Sequence, residues 1–339
     1  MDKTKKFLII LFPFVFCALM AIFLTSCGIL EQKTQLQKVR LNEVTRSIFY
    51  CPQYIALEKG FFEDRGLEIE LTTGEGSEKT MTSILAHQAD IGLLGTSSVI
   101  SVIEQGRANH PVAFAQLTQR DGSFLIGRTP DFNWDDLRGK EIIAGRKGGV
   151  PEMVFEHILK KRDLTPGKDV KLLNNIQFDL MSVAFSRDIG DYVALFEPIA
   201  SRLVSEKHFY SLLPLGLECD PVPYTCYCAT REYIKENSEI IQNFTNAIYE
   251  AQKWIQVHDS HEIAKSIIKY FIDFDEELLR ECVEKYKEIG VWTENPTISE
   301  SEMQTLEEIM KECGELNSEI KYEQIADNFY SENALNNIN

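Results

Sequence analysis

The chain has few basic residues for its length. Its 339 residues include 35 Lys and Arg against 52 Asp and Glu, which gives a formal net charge of −17. Nucleic-acid-binding proteins carry the opposite excess, so this balance excludes nucleic acid as a partner and favours a soluble protein. The chain is long enough to bury a large core, and a typical domain of about 150 residues predicts two lobes.

Common motifs of hydrolytic enzymes are also missing. The sequence contains no G-x-S-x-G elbow and no H-E-x-x-H helix, and the glycine-rich segment Gly145–Pro151 lacks the spacing and the Lys-Ser/Thr pair of a Walker loop. The histidines are scattered along the chain rather than clustered (His87, His110, His157, His208, His258 and His261). We therefore expect a binding protein that has no catalytic residue, cofactor or metal.

No C-x-x-C pair occurs among the eight cysteines. Cys17 and Cys27 belong to the N-terminal segment, and the other six leave three alternatives open. Cys226 and Cys228 could hold a metal together with Cys219, although the usual four-ligand spacing is incomplete. A disulfide is possible in an exported protein, and buried free thiols are the third alternative. The six are Cys51, Cys219, Cys226, Cys228, Cys282 and Cys313.

The N-terminal segment has the pattern of a secretory signal peptide. Lysines at positions 3, 5 and 6 precede an apolar run over residues 7–24, and Leu24-Thr25-Ser26-Cys27 follows. This ending resembles the bacterial lipobox, which implies that residues 1–26 are removed and that Cys27 is lipidated. Residues 27–37 then form a polar tether that holds the protein at the extracellular face of the membrane. An uncleaved membrane helix is the alternative.

Three consecutive strand–helix units follow the tether. Strands are predicted at residues 38–44, 68–72 and 90–94, and each leads through a turn of small or polar residues into a helix. Parallel strands bring such turns to one edge of a sheet, where ligands bind in open α/β folds. The sequence therefore predicts a ligand edge formed by residues 47–50, 74–77 and 95–98.

Several segments together resemble a family of solute-binding proteins. Residues 52–63 with Gly66–Glu70, then Ala89–Gly92, then residues 134–142 and finally Glu197-Pro198 are similar, in this order, to landmarks of the periplasmic binding proteins for nitrate, sulfonates, taurine and thiamine pyrimidine precursors. Phe196 stands where that family usually has tryptophan. The resemblance covers roughly residues 39–204.

The resemblance implies an α/β, two-lobed periplasmic binding protein fold of type II, in which each lobe is a mostly parallel sheet flanked by helices. Residues 38–127 and 224–339 would form the first lobe and residues 128–223 the second. We expect the crossover near Arg128, a second ligand-facing turn at Gly145–Pro151, a hinge strand near residues 221–230, and helices to about Asn328. The implied partners are a small-molecule ligand, which closure of the lobes would bury, and an ABC permease with its ATPase; we expect a monomer.

Candidate ligand contacts follow from this arrangement. Aromatic rings offer stacking faces, hydroxyls and glycine amides suit an anionic or carbonyl group, and carboxylates accept from amino or ring N–H groups. The candidates are Phe49, Tyr50, Glu75, Thr96, Ser97, Gln119, Arg120, Gly148, Gly149, Phe178, Glu197 and Tyr224, with Phe124 as a further stacking face.

Glu75 and Glu197 favour a flat, nitrogen-rich ligand such as a thiamine pyrimidine precursor. The alternatives are an aliphatic sulfonate, a ligand-sensing lipoprotein of identical sequence pattern, and an enzyme. The enzyme alternative arises because fungal thiamine-pyrimidine synthases resemble these binding proteins; their cysteine-rich motif is poorly matched by Cys226-Tyr227-Cys228.

Overall fold

The computed structural model describes residues 36–338. The predicted signal peptide and Cys27 lie outside these residues, as does the tether up to residue 35. Within the described residues, no helix is both long and apolar enough to cross a membrane. The strands are β1 (Gln37–Glu43), β2 (Leu67–Thr73), β3 (Ile91–Gly95), β4 (Pro111–Thr118), β5 (Ser123–Gly127), β6 (Glu141–Ile143), β7 (Lys171–Leu172), β8 (Tyr192–Phe196), β9 (Tyr210–Pro214) and β10 (Thr225–Thr230).

Most of the helices lie in the C-terminal third. They are α1 (Cys51–Glu58), α2 (Ser77–Leu85), α3 (Ser97–Glu104), α4 (Val150–Lys161), α5 (Met181–Ser186), α6 (Ile199–Lys207), α7 (Arg231–Glu236), α8 (Ser238–Val257), α9 (Ser260–Ile267), α10 (Glu276–Ile289), α11 (Glu300–Glu312), α12 (Tyr322–Ile325) and α13 (Phe329–Asn337). The helices continue to residue 337, beyond the predicted limit near 328.

The first sheet has the strand order β2-β1-β3-β10-β4. β1 pairs in parallel with both β2 and β3, and β10 runs antiparallel to β3 and β4. β3 is buried along its whole length, as expected for a central strand covered on both faces. The parallel pairing brings the turns after β1, β2 and β3 to one edge, which confirms the three predicted strand–helix units.

The second sheet has the order β7-β6-β8-β5-β9. β5 pairs antiparallel with both β8 and β9, so residues 123–127 belong to this sheet and the chain passes between the sheets at residues 119–122. The predicted crossover near Arg128 is therefore wrong. Residues 123–127 are as apolar as β4, so the sequence does not separate the two strands, and only the pairing with β8 and β9 assigns residues 123–127 to the second sheet. β9 was not predicted, because this half-exposed edge strand lacks a period-2 pattern.

We call the two sheets, each with the helices that pack on it, the first and second lobes. β10, the predicted hinge strand, returns the chain to the first lobe, and the Thr230 side chain caps α7 by accepting from Tyr233 N. Among the aromatic residues after β10, Phe271, Tyr286 and Trp292 are buried. Trp254 is half-buried and its ring stacks on that of His258.

The six cysteines of the described residues are free thiols, and all except the half-buried Cys313 are buried. Burial raises the pKa of Cys226 to about 12, so its thiol is protonated at neutral pH. The sulfur of Cys226 accepts a weak hydrogen bond from the Thr96 hydroxyl at 3.2 Å. Residues 36–338 contain no group of three His, Cys, Asp or Glu side chains that could hold a metal ion.

Candidate functional site

A cavity of about 130 Å³ lies between the two sheets, at the edge where their strands end. The first lobe contributes the turns after β1, β2 and β3 and the start of β10. The second lobe contributes the glycine-rich turn after β6, together with two aromatic side chains. The wall consists of Val44, Thr45, Ser47, Phe49, Tyr50, Glu75, Gly76, Ser77, Glu78, Gly95, Ser98, Gly145, Arg146, Gly148, Gly149, Val150, Pro151, Phe178, Phe196, Tyr224 and Thr225.

Aromatic rings from both lobes meet at the inner end of this cavity. The Phe49 ring centroid lies 5.1 Å from that of Phe196 and 5.5 Å from that of Tyr224, and both pairs are edge-to-face. The Phe178 ring lies 5.6 Å from the Phe196 ring. Such contacts hold the rings in fixed orientations, so the cavity has a rigid apolar wall that suits a flat ligand.

Close packing behind Phe49 requires glycine at position 122. A Cβ at Gly122 would lie 2.4 Å from Cδ2 of Phe49, well inside contact distance. Gly122 belongs to the segment where the chain passes between the sheets, and its carbonyl accepts from the Tyr286 hydroxyl at 3.0 Å. The orientation of the Phe49 ring is therefore set by the crossover segment.

Two tyrosine hydroxyls of the wall differ in what they bind. Tyr224 donates to the carboxylate of Asp121 at 2.6 Å, whereas the hydroxyl of Tyr50 has no hydrogen-bond partner among residues 36–338. Burial, above all, raises the pKa of both tyrosines, so both hydroxyls are protonated at neutral pH. Tyr50 thus offers a hydrogen-bond donor and acceptor that a bound molecule can use.

Charged side chains stand at the mouth of the cavity. Arg146 of the second lobe forms an ion pair with Glu78 of the first at 2.9 Å. Glu75, beside Glu78, pairs with Lys79 at 2.9 Å and adopts a φ of 58° in the turn that leads into α2. All four side chains are roughly half or more exposed, so solvent screens both ion pairs.

The sequence matches the family model described as NMT1/THI5 like over residues 49–261. The chain belongs to this family. It is also 40% identical over 297 residues to a protein of Bacillus subtilis (strain 168) named "Putative binding protein YtlA", with 87% of this chain and 89% of that protein covered.

Solved structures with the same fold include binding proteins and an enzyme. The periplasmic nitrate-binding protein NrtA of Synechocystis PCC 6803 gives a TM-score of 0.71 at 14% identity, covering 90% of this chain and 89% of that one. The alkanesulfonate-binding protein SsuA of Xanthomonas axonopodis pv. citri, bound to MOPS, gives 0.66 at 14%, covering 88% and 97%. The desulfurization enzyme DSZB gives 0.62 at 12%, covering 89% and 100%. At these identities the likeness establishes the two-lobed periplasmic binding protein fold, as predicted, and the site must be judged from its own residues.

Seven of the twelve predicted contacts lie in the cavity wall of this NMT1/THI5-like protein. They come from five different segments of the chain that the two sheets bring together: Phe49, Tyr50, Glu75, Gly148, Gly149, Phe178 and Tyr224. Their contact with a ligand stays a prediction.

The other five predicted contacts lie outside the wall. Thr96 and Ser97 are buried at the start of α3, and the next residue, Ser98, takes their place in the cavity because successive helical side chains point about 100° apart. Gln119 donates to the carbonyls of Gly290 and Trp292, which ties the crossover to the C-terminal helices.

Arg120 and Glu197 are likewise engaged elsewhere. The guanidinium of Arg120 donates to the carbonyls of Gly216 and Cys219, where the chain returns from the second lobe. The carboxylate of Glu197 is buried and accepts from Ser201 and Lys285. The stacking candidate Phe124 is also outside the wall, and its ring lies 6.3 Å from that of Tyr286.

Ser47, Ser77 and Ser98 lie within the predicted ligand edge but were not among the twelve named contacts, and neither were Glu78 and Arg146. Arg146 had a signal, since it lies within the glycine-rich turn that was predicted to face the first lobe. Phe196 also had one, because it precedes the Glu197-Pro198 landmark at the end of β8.

Proposed function

We propose that this protein is the solute-binding protein of an ABC importer and that it captures a small organic molecule in the cavity between its lobes. The observation that supports this most is the composition of the cavity wall, where aromatic rings in mutual contact occur together with Tyr50, whose hydroxyl has no hydrogen-bond partner among residues 36–338. Such a wall can orient a ligand by stacking and one hydrogen bond, which is what a binding protein needs.

We further propose that the ligand is a flat nitrogen heterocycle of the thiamine-pyrimidine-precursor class. Glu75 lies at the mouth of the cavity, and its carboxylate can accept from amino or ring N–H groups. Glu78 lies there too and takes over the role of second carboxylate that the sequence analysis had assigned to Glu197. Both carboxylates repel an anionic ligand. The rings of Phe49, Phe178 and Phe196 in the cavity wall supply the stacking surface.

An aliphatic sulfonate is the second candidate, and Arg146 is the observation that favours it. Its guanidinium is the one cationic group of the wall that the described residues form, and it could release Glu78 to bind a sulfonate. In that arrangement the anion lies at the mouth and the aliphatic part of the ligand contacts the rings.

Lobe closure, membrane attachment and delivery complete the proposal. Residues 38–122 with 224–339, and residues 123–223, would move as two bodies about the crossovers and bury the ligand as they close. Cys27 would carry the lipid that holds the monomer at the extracellular face of the membrane, next to a permease and its ATPase.

An enzyme of the thiamine-pyrimidine-synthase kind is the alternative to a binding protein. The cysteines that suggested it, Cys226 and Cys228, are buried in β10 and are not part of the cavity wall. Burial raises the pKa of both thiols, which removes the thiolate that a cysteine nucleophile requires.

Isothermal titration calorimetry with a hydroxymethyl-aminopyrimidine and with taurine tests the proposal. We expect the pyrimidine to bind the wild type at one site and more weakly to Tyr50→Phe, which removes only the hydroxyl. Tyr249→Phe, outside the wall, is the matched control. Tighter binding of taurine, lost in Arg146→Gln, would replace the first ligand class by the second. Binding of neither compound, or chemical conversion of either one, would contradict the proposed function.

A further inference from the structure

Glu197 is a residue of the second lobe whose polar atoms are bonded largely to the first lobe. It follows β8, and its side chain is fully buried. Its backbone N–H donates to the Tyr286 hydroxyl at 2.8 Å, and its carbonyl accepts from the Ser47 hydroxyl at 2.9 Å. A residue bonded in this way cannot move with the second lobe unless these hydrogen bonds break.

The carboxylate of Glu197 is bonded as completely as its backbone. Oε1 accepts from Lys285 Nζ and from the Ser201 hydroxyl, each at 2.8 Å, and Oε2 accepts from Ser201 N at 2.9 Å. Lys285 Nζ also donates to the Ser201 hydroxyl at 2.6 Å, so one ammonium contacts both residues. A buried carboxylate is costly unless it is paired and hydrogen-bonded, and this one has both kinds of partner.

Two of the partners of Glu197, Lys285 and Tyr286, come from a helix that belongs to the first lobe. Lys285 and Tyr286 are consecutive residues of α10, which packs on α9, and α9 in turn packs on α1 between β1 and β2. Tyr286 also donates to Gly122 O at 3.0 Å, so its hydroxyl joins the crossover segment to Glu197. We call Glu197, Ser201, Lys285 and Tyr286 the interlobe brace.

The interlobe brace lies directly behind the ligand cavity. Phe196, the neighbour of Glu197 in the chain, is a residue of the cavity wall. Ser47, whose hydroxyl donates to the Glu197 carbonyl, is another. The Tyr286 ring lies 5.8 Å from the ring of Phe49, a third wall residue. Displacement of the brace would therefore displace wall residues from both lobes together.

We propose that Lys285 and Tyr286 are positioning residues of the cavity, which fasten Glu197 to the first lobe and thereby hold Phe196 and Ser47 in the wall. This inference rests on the proposed function for its meaning, since the wall matters only if the cavity binds a ligand. It assigns Glu197 a different role from the ligand contact that the sequence predicted, and it makes α10 part of the site although α10 does not line the cavity.

The test measures the distance between the lobes without any ligand. Spin labels attached to keto-bearing amino acids at the exposed positions Lys168 and Glu239 report on the second and first lobes and avoid the native thiols. We expect Lys285→Met to lengthen the mean distance by at least about 2 Å, the size of a domain rearrangement. Lys285→Arg keeps the charge and should restore the wild-type distance. Lys265→Met, on the exposed face of α9, is the matched control and should change nothing.

Two further variants keep the test decisive if Lys285→Met fails to fold. Tyr286→Phe keeps the ring and removes only the hydroxyl between Gly122 and Glu197. The double variant Glu197→Gln, Lys285→Met removes both charges and leaves none of them buried alone. In each folded variant, hydrogen exchange should become at least about tenfold faster at the amides of Phe49, Tyr50 and Glu197. Glu197 N loses its bond to the Tyr286 hydroxyl, and the local bonds of Phe49 N and Tyr50 N to Ser47 open once the Ser47 hydroxyl loses the Glu197 carbonyl.

A wild-type distance and wild-type exchange in the folded variants would overturn the proposal. Unfolding of all three variants would also overturn it, since these residues would then serve global stability rather than positioning. Neither readout uses a ligand, so failure of the brace is distinguishable from failure of the proposed function, which would appear as absence of binding by the wild type.

Discussion

Arg146 Nη1 lies 2.9 Å from Glu78 Oε2, and the two side chains come from different lobes. Arg146 belongs to the turn after β6, and Glu78 to the first turn of α2. Both line the cavity, so their ion pair bridges its mouth. The ion pair therefore joins the parts of the cavity wall that the two lobes contribute.

We predict that Arg146→Gln speeds ligand release modestly. An exposed ion pair contributes at most about 1 kcal/mol, which limits the increase in dissociation rate to about fivefold. Added salt should speed ligand release from the wild type, because salt screens the ion pair. The release rate of Arg146→Gln should not change with salt, because this variant lacks the ion pair. Stopped-flow measurements at low and high salt check this. Arg138→Gln, whose ion pairs with Asp135 and Asp169 lie outside the wall, is the control.

The two tyrosines of the wall should respond differently to loss of their hydroxyls. We expect Tyr50→Phe to weaken ligand binding by about 1 kcal/mol and to leave the free energy of unfolding unchanged, since that hydroxyl has no partner in the described residues. Tyr224→Phe should lower the free energy of unfolding by about 1–3 kcal/mol, because buried Asp121 loses a donor at 2.6 Å. Calorimetry and urea unfolding separate the two effects; equal losses of stability would contradict this assignment.

Gly122→Ala should destabilise the protein by about 1–3 kcal/mol, the usual cost of overpacking. The added Cβ would meet Cδ2 of Phe49 at 2.4 Å and force the ring to move. A double-mutant cycle with Phe49→Leu, followed by urea unfolding, checks the cause. The two changes together should cost less than the sum of their separate effects, whereas strict additivity would place the strain elsewhere.

The buried carboxyl of Asp121 predicts a pH dependence of stability. Burial raises its pKa above the ordinary value of 3.8, even though Ser123 and Tyr224 donate to it. The folded state therefore binds this proton more tightly than the unfolded state. Its contribution to stability is present below pH 3.8 and is lost as the pH rises through the raised pKa.

Unfolding free energies of the wild type and of Asp121→Asn, measured from pH 3 to pH 8, check this prediction. The wild type should lose stability relative to the variant as the pH rises from 3.8 through the raised pKa of Asp121. At higher pH the difference in the free energy of unfolding should be constant. A relative gain of stability by the wild type with rising pH would show that the hydrogen bonds outweigh burial.

Much of the fold could be predicted because apolar periodicity and turn residues decide local structure. The sequence predicted β1, β2 and β3 together with the turns that follow them. Their parallel pairing brings Tyr50, Glu75 and the start of α3 to one edge of the sheet. The assignment of β5 failed because sheet membership depends on pairing partners distant in sequence, here β8 and β9.

The site was predicted less completely than the fold because a strand end fixes position and not side-chain direction. Ser97 and Ser98 are neighbours in α3, yet only Ser98 reaches the cavity. Glu197 was placed correctly at a strand end, but its carboxylate turns away towards Lys285, which lies 88 residues further along the chain. No local pattern near Glu197 indicates that partner.

Native mass spectrometry of the purified protein tests the central claim most directly. We predict that the wild type binds one small aminopyrimidine per chain and that Tyr50→Phe, at the same ligand concentration, is substantially less occupied. The bound compound should leave the protein chemically unchanged. A bound mass that is independent of Tyr50, or release of a converted product, would contradict the account of this cavity as the binding site of a transport protein.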